Sequence, residues 1–170
     1  MAATPTTKTL WIAKTALMQM RNLANEHTPL ETGGALVGYE AENLEVVVTD
    51  VIGPGPHAKH RRLRFRPDYD YQQAQLDRHF AQTQGREFYL GDWHTHPSGA
   101  CSLSWRDKRV LLRIAKTPSS GTKRPIMAVL ADGQPEWNLH ASRLITFRKG
   151  SFPKMELLEL LPQVFASTDT

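Results

Sequence analysis

One short stretch constrains this chain more than any other. The run Glu87–Trp93 reads as a β-strand and leads straight into His94-Thr95-His96-Pro97. Side chains alternate along a strand, so residues two apart share a face, and His94 and His96 project together from its end. Pro97 cannot donate to a ladder and stops the strand there. Residues 98–103 form a loop. Ser104 then suits a helix N-cap, and Trp105–Lys116 follows as a helix with Val110, Leu111 and Ile114 inward. Asp107 lies in the first turn of that helix, where its carboxylate can turn back toward the histidines. A strand, a loop and a capped helix that converge on three polar side chains require a sheet with a helix packed beside its end.

The rest of the chain supplies that sheet. Leu10–Ile12 suits a short strand, and Lys14–Asn25 a helix with Ala16, Leu17, Met20, Leu23 and Ala24 on one face. Pro29 follows its end. Glu31 opens a glycine-rich strand that runs to Gly38. Leu44–Ile52 is β-branched and apolar, and Gly53-Pro54-Gly55-Pro56 ends it. Pro67 opens a second helix, Asp68 to about Gln82, with Asp68 and Asp70 at the positive end of its dipole. Thr117–Lys123 is a polar loop. Ile126–Leu130, apolar throughout, predicts a buried strand, and Trp137–Phe147 another. Pro153–Phe165 has leucines at helical spacing and predicts a final helix. The mixed order predicts an α/β (α+β) fold, a sandwich with a largely antiparallel sheet. The 170 residues, 40% of them apolar, are expected to form one domain over 1–170, large enough for a core without disulfides.

Composition removes several classes of function. The one cysteine, Cys101, permits no intrachain disulfide and no all-cysteine metal site. No stretch approaches the ~20 apolar residues of a membrane helix, and the polar residues 1–9 lack the apolar core of a signal peptide. The expectation is a soluble cytoplasmic protein with no membrane partner. A net charge of +4 is too small for a dedicated nucleic-acid binder. Much of it sits between His57 and Arg66, in Lys59, Arg61, Arg62, Arg64 and Arg66. Such a run is either a solvated loop or edge strand, or a surface for an acidic partner or phosphates.

His94, His96 and Asp107 together form a standard ligand set for catalytic zinc, because three protein ligands leave a fourth position open. Zinc acidifies water and polarises a carbonyl, and a hydrolase also needs a base beside the metal but not on it. Spacing alone leaves Glu26, Glu31 and Glu40 as candidates. His27, His57, His60, His79 and His140 have no comparable company and read as structural or exposed.

Glu31 with Gly33, Gly34 and Gly38, then His94-x-His96-Pro97, seven residues, Ser104, two residues and Asp107, resembles the JAMM (MPN/Mov34/JAB) metalloprotease motif without gap or substitution. The order of strands and helices matches that family over about residues 10–147. The resemblance implies a single MPN-like domain with a mixed, largely antiparallel curved sheet flanked by helices. It implies that Glu31 is the general base, that His94, His96 and Asp107 hold one zinc ion per chain, and that Ser104 orients the substrate carbonyl and steadies the oxyanion. Cys101 lies five residues after the second histidine, where deubiquitinases of the proteasome lid and the signalosome carry a cysteine. Gly33, Trp105 and Cys101 are candidates to line the substrate groove. The plainer readings are backbone geometry for Gly33, packing for Trp105 and a small buried thiol for Cys101.

The resemblance further implies an isopeptidase or peptidase that cuts after the C-terminal tail of a ubiquitin-like protein. Such a tail adds as an extended strand and threads its last glycines past the metal. The residue ranges 53–66 and 117–123, where the family carries insertions, are short here. Small bacterial members resemble those of ubiquitin-like conjugation and anti-phage defence operons, which implies E1-like and E2-like partners. Two alternatives share the motif: a protease that trims sulfur-carrier ubiquitin-fold proteins, and a RadC-like branch associated with DNA repair.

Overall fold

The structure is a computed structural model that describes residues 8–97, 99–131, 136–148 and 154–166. The elements, in order, are β1 (Lys8–Ala13), α1 (Lys14–His27), β2 (Gly33–Glu40), β3 (Val46–Ile52), β4 (Lys59–Arg61), β5 (Arg64–Arg66), α2 (Tyr69–Gln82), β6 (Phe88–His96), α3 (Trp105–Lys116), β7 (Ile126–Ala131), β8 (Asn138–Arg148) and β9 (Lys154–Phe165). Seven strands join in the order β1-β3-β2-β6-β7-β8-β9, and the sheet curls until β9 pairs in parallel with β1. Four pairings are antiparallel and three parallel, so the largely antiparallel mixed sheet expected from the sequence is present. This is a single α+β domain. Strands β4 and β5 stand apart as a small hairpin.

The curl has a physical cause. The apolar face of α1, carrying Ala16, Leu17, Met20 and Ala24, is buried against Leu10, Val46, Leu36, Trp93, Ala128 and Leu160 from strands around the sheet. Wrapping the sheet about one helix removes both apolar surfaces from water at once, which is the main stabilising term available to a chain of this size. A second, smaller cluster lies on the opposite face of the sheet. There Ala35, Val37 and Ile52 meet Leu76 of α2 and Tyr89. Trp93 points inward, so by alternation its neighbours on β6, Asp92 and His94, point outward. β7 is buried at every position, as its unbroken apolar sequence predicts.

Two expectations are corrected. Residues 154–165 form strand β9, not a helix. Leu158 and Leu160, two apart, turn inward, and Leu160 faces Ala141 on one side and Lys8 on the other. Pro162 would cost a helix interior about 3 kcal/mol, whereas the curled sheet offers this segment two partner strands. Pro153, the expected start of that helix, lies outside the described residues, as do residues 1–7 of the polar N-terminus and Ser98. The second correction is smaller. Pro67 precedes α2, and Asp68 caps it by accepting from the Tyr71 amide at 3.2 Å.

Candidate metal centre

Strand β6 delivers the two histidines and α3 delivers the aspartate, as their sequence patterns require. His94 Nε2 and His96 Nε2 lie 3.0 Å apart. Asp107 Oδ1 is 3.3 Å from His94 Nε2, and Asp107 Oδ2 is 3.8 Å from His96 Nε2. His96 Nδ1 donates to the Ala100 carbonyl at 2.8 Å, which leaves its Nε2 lone pair facing the other two side chains. Two donors each ~2.0–2.1 Å from a tetrahedral ion stand about 3.3 Å apart, so the donor set fits a divalent ion of that kind. These three are the group of His, Cys, Asp and Glu side chains, among the described residues, whose ligand atoms come within 4.8 Å of one another.

Local structure fixes Asp107. The Ser104 amide donates to Asp107 Oδ2 at 2.7 Å, and the Asp107 amide donates to Ser104 Oγ at 3.2 Å. This is a capping box that holds the first turn of α3 and aims the carboxylate back at β6. Burial pushes the Asp107 carboxyl up. The hydrogen bond and charge of His94, with the contacts from Ser104, outweigh that and hold it at about 2. The Ser104 hydroxyl accepts from the Asp107 amide in the cap and lies beside the Asp107 carboxylate.

Glu31 reaches the same place through strand register. Gly33 pairs with His94 across the antiparallel β2–β6 ladder. The ladder continues one step, with the Thr95 amide donating to the Thr32 carbonyl at 2.8 Å, and this sets Glu31 alongside His96. A side chain on Gly33 would place its Cβ 2.3 Å from the Trp93 carbonyl oxygen and 2.9 Å from the His94 Cα. Only glycine permits this approach, so backbone geometry accounts for Gly33. On its other side the Glu31 amide donates to the Arg61 carbonyl at 2.9 Å, and His60 Nδ1 donates to the Glu31 carbonyl at 3.1 Å. Burial raises the Glu31 carboxyl to about 6, against the charge of His94 and with that of Asp107. Of the other two candidate bases, Glu40 is ion-paired with Arg143 and Glu26 sits on α1.

Trp93 is fully buried, as expected for packing beneath the site. Trp105 is 69% exposed, with the Arg109 guanidinium 4.6 Å above its ring, so it lies on the surface and is not packing beneath the site. Cys101 is exposed, which corrects the reading of a buried thiol. Its neighbours Ala100 and Ser102 are exposed too. Sequence reasoning missed two supports of the site. Thr95, between the ligands, accepts from the Thr32 amide through its Oγ1 at 2.9 Å. Asp92, two residues before His94, accepts from the Tyr89 hydroxyl at 2.7 Å, and burial raises both groups above their ordinary ranges. The alternation Asp92-x-His94-x-His96 was the available signal for the second.

Comparison with known proteins gives the family and the fold. Residues 13–143 match the family model of prokaryotic homologs of the JAB domain, a stretch that contains Glu31, His94, His96, Ser104 and Asp107. The chain is 36% identical to a probable metalloprotease of Sinorhizobium fredii over 79% of its own length and 82% of the relative's. It is 32% identical to a CD-NTase/cGAS isopeptidase of Vibrio cholerae, over 59% of this chain and 69% of the other. The solution structure of a protein from Desulfitobacterium hafniense superposes with a TM-score of 0.64 at 17% identity, covering 93% of this chain and 94% of that one, a likeness of fold.

Proposed function

The chain belongs to the prokaryotic homologs of the JAB domain, a hydrolytic family with metalloprotease and isopeptidase members, and on that premise we propose a zinc-dependent isopeptidase that cuts after the C-terminal tail of a ubiquitin-like protein. The observation that carries this reading is a convergence. Two imidazoles and a carboxylate stand at ligand separations, and a second carboxyl, held at about 6, lies beside them.

His94, His96 and Asp107 would hold the ion. Bound there, zinc supplies acidification of water and polarisation of the scissile carbonyl. The Glu31 carboxylate takes a proton from the attacking water and returns it to the leaving amine. Burial, which raises this carboxyl in the metal-free chain, opposes the lowering that a bound cation would cause and so favours a group that can return the proton as well as take it. The Ser104 hydroxyl donates to the oxygen on which charge develops. Trp105 forms one wall of the groove in which an extended tail lies, and Cys101 lies on the exposed loop that leads to it.

The names of the relatives from Vibrio cholerae and Escherichia coli favour a protein conjugate as substrate, joined by an isopeptide bond. That fits release of a modifier from its target, or processing of its precursor, within a bacterial defence operon with E1-like and E2-like enzymes. Cleavage of a ubiquitin-like fusion, with and without a chelator, tests the reading. It predicts cleavage at the end of the tail that stops on chelation and returns with added zinc. Cleavage that persists in excess chelator would overturn it.

A further inference from the structure

The β4–β5 hairpin breaks a rule of sheet design. Its register sets Lys59 opposite Arg66 and Arg61 opposite Arg64. Residues directly opposite share a face, so four cations project together, and all four are exposed. Like charges directly opposite destabilise a ladder. Among the described residues no carboxylate makes an ion pair with any of these four, nor with Arg62 in the turn. The other face is ordinary. It pairs His60 with Phe65, their rings 5.5 Å apart, and stacks His60 on His27 at 3.9 Å. Protection of an exposed edge needs a lone lysine, not two opposed pairs of cations. Local rules broken without local compensation concentrate at functional sites.

The location of this face says what it meets. The Arg61 carbonyl holds the Glu31 amide, and Arg106 at the start of α3 donates to the Leu63 carbonyl at 3.3 Å. The hairpin is therefore tied to the candidate base on one side and to the helix of Asp107 on the other. Leu63, 79% exposed at its tip, adds an apolar contact.

We propose that the cationic face of the β4–β5 hairpin binds acidic side chains of the protein substrate beside the bond that is cut, so that the enzyme selects an acidic segment. This rests on the isopeptidase reading above. Phosphates of a nucleic acid would meet the same charges, but a hairpin bonded through its backbone to Glu31 stands next to the candidate base, within reach of residues that flank a scissile bond.

The test is binding, read by fluorescence anisotropy of labelled peptides Glu-Glu-Glu-Gly-Gly, Gln-Gln-Gln-Gly-Gly and Lys-Lys-Lys-Gly-Gly at low salt, where surface charge is least screened. The wild-type chain should bind the glutamate peptide about tenfold more tightly than the glutamine peptide, as a few exposed Arg–carboxylate contacts allow. The double variant Arg61→Gln, Arg64→Gln should lose that preference, and Arg61→Glu, Arg64→Glu should turn it toward the lysine peptide. The glutamine variant should melt at or above the wild-type temperature, because opposed charges have been removed. Equal binding of glutamate and glutamine peptides, a preference that survives in the glutamine variant, a lower melting temperature in that variant, or tighter binding of a labelled DNA duplex would each overturn the proposal. Turnover is measured separately, by the fusion-cleavage assay, so the two ideas separate. Arginine-dependent binding without any peptidase activity would sink only the isopeptidase reading, and an active peptidase indifferent to acidic peptides would sink only this one.

Discussion

Thr95 and Thr32 are joined by three hydrogen bonds: the Thr95 amide donates to the Thr32 carbonyl at 2.8 Å, the Thr32 amide donates back to Thr95 Oγ1 at 2.9 Å, and Thr95 Oγ1 donates to the Thr32 carbonyl at 3.4 Å. Both residues are fully buried. Thr95 lies between His94 and His96, and Thr32 follows Glu31, so this lock sets the spacing between the candidate base and the metal ligands. Thr95→Val keeps the shape but strands the Thr32 amide, at a cost of about 1–3 kcal/mol in stability. We expect kcat to fall about tenfold with KM and metal content little changed, as for a misplaced but intact catalytic group. Thr95→Ser should restore kcat. Equal kcat in the valine and wild-type enzymes would remove Thr95 from the account.

Glu31 links chemistry to stability. Its carboxyl is raised from 4.5 to about 6 by burial, so the folded chain favours the protonated form. The contribution of that group to stability is therefore fully present below pH 4.5 and is lost as pH rises through about 6. In the metal-free protein, Glu31→Gln should be more stable than wild type above pH 6, by about 1 kcal/mol once solvent screening of a half-exposed group is discounted. The advantage should vanish below pH 4.5. The same variant should lose cleavage altogether. Denaturant melts of both chains at pH 4 and pH 7.5 measure the first effect, and a constant difference between the two pH values would contradict it.

Gly33 tests the approach of β2 to β6. An alanine Cβ would meet backbone, at 2.3 Å from the Trp93 oxygen, and neither strand can yield without breaking the ladder that carries His94. Gly33→Ala should destabilise the fold by about 2–4 kcal/mol and weaken metal affinity with it. Thermal melts with and without zinc check this. A variant with wild-type stability would mean that the two strands stand further apart.

β9 closes the curl, and Leu160 is its most buried side chain. Leu160→Ala should cost about 2–4 kcal/mol in a denaturant melt, as for a core strand. A surface helix in that place would lose far less.

Much of the site was legible because its signals are local. Period two in residues 87–96, the stop at Pro97 and the cap at Ser104 each act within a few residues, and β6, α3 and their three ligands follow. Glu31 was not separable from Glu26 and Glu40 by residues alone, because strand pairing over 60 residues selects among them. The motif resemblance named it, and the register of Gly33 with His94 places it. β9 was misread because its leucines satisfy a helical period as well as an alternating one. Its partners, β8 and β1, lie in distant sequence, and Pro162 was the local hint. The basic run reads equally as a solvated edge or a partner surface, since the opposed pairing of its cations exists only in the hairpin register.

His94, His96 and Asp107 are expected to hold a metal ion that Glu31 serves without binding it. Elemental analysis of the purified chain and three variants measures this directly. One zinc per chain is expected in the wild type and in Glu31→Gln, and almost none in His96→Ala or Asp107→Asn. Stoichiometric zinc retained in His96→Ala and Asp107→Asn, or lost in Glu31→Gln, would contradict it.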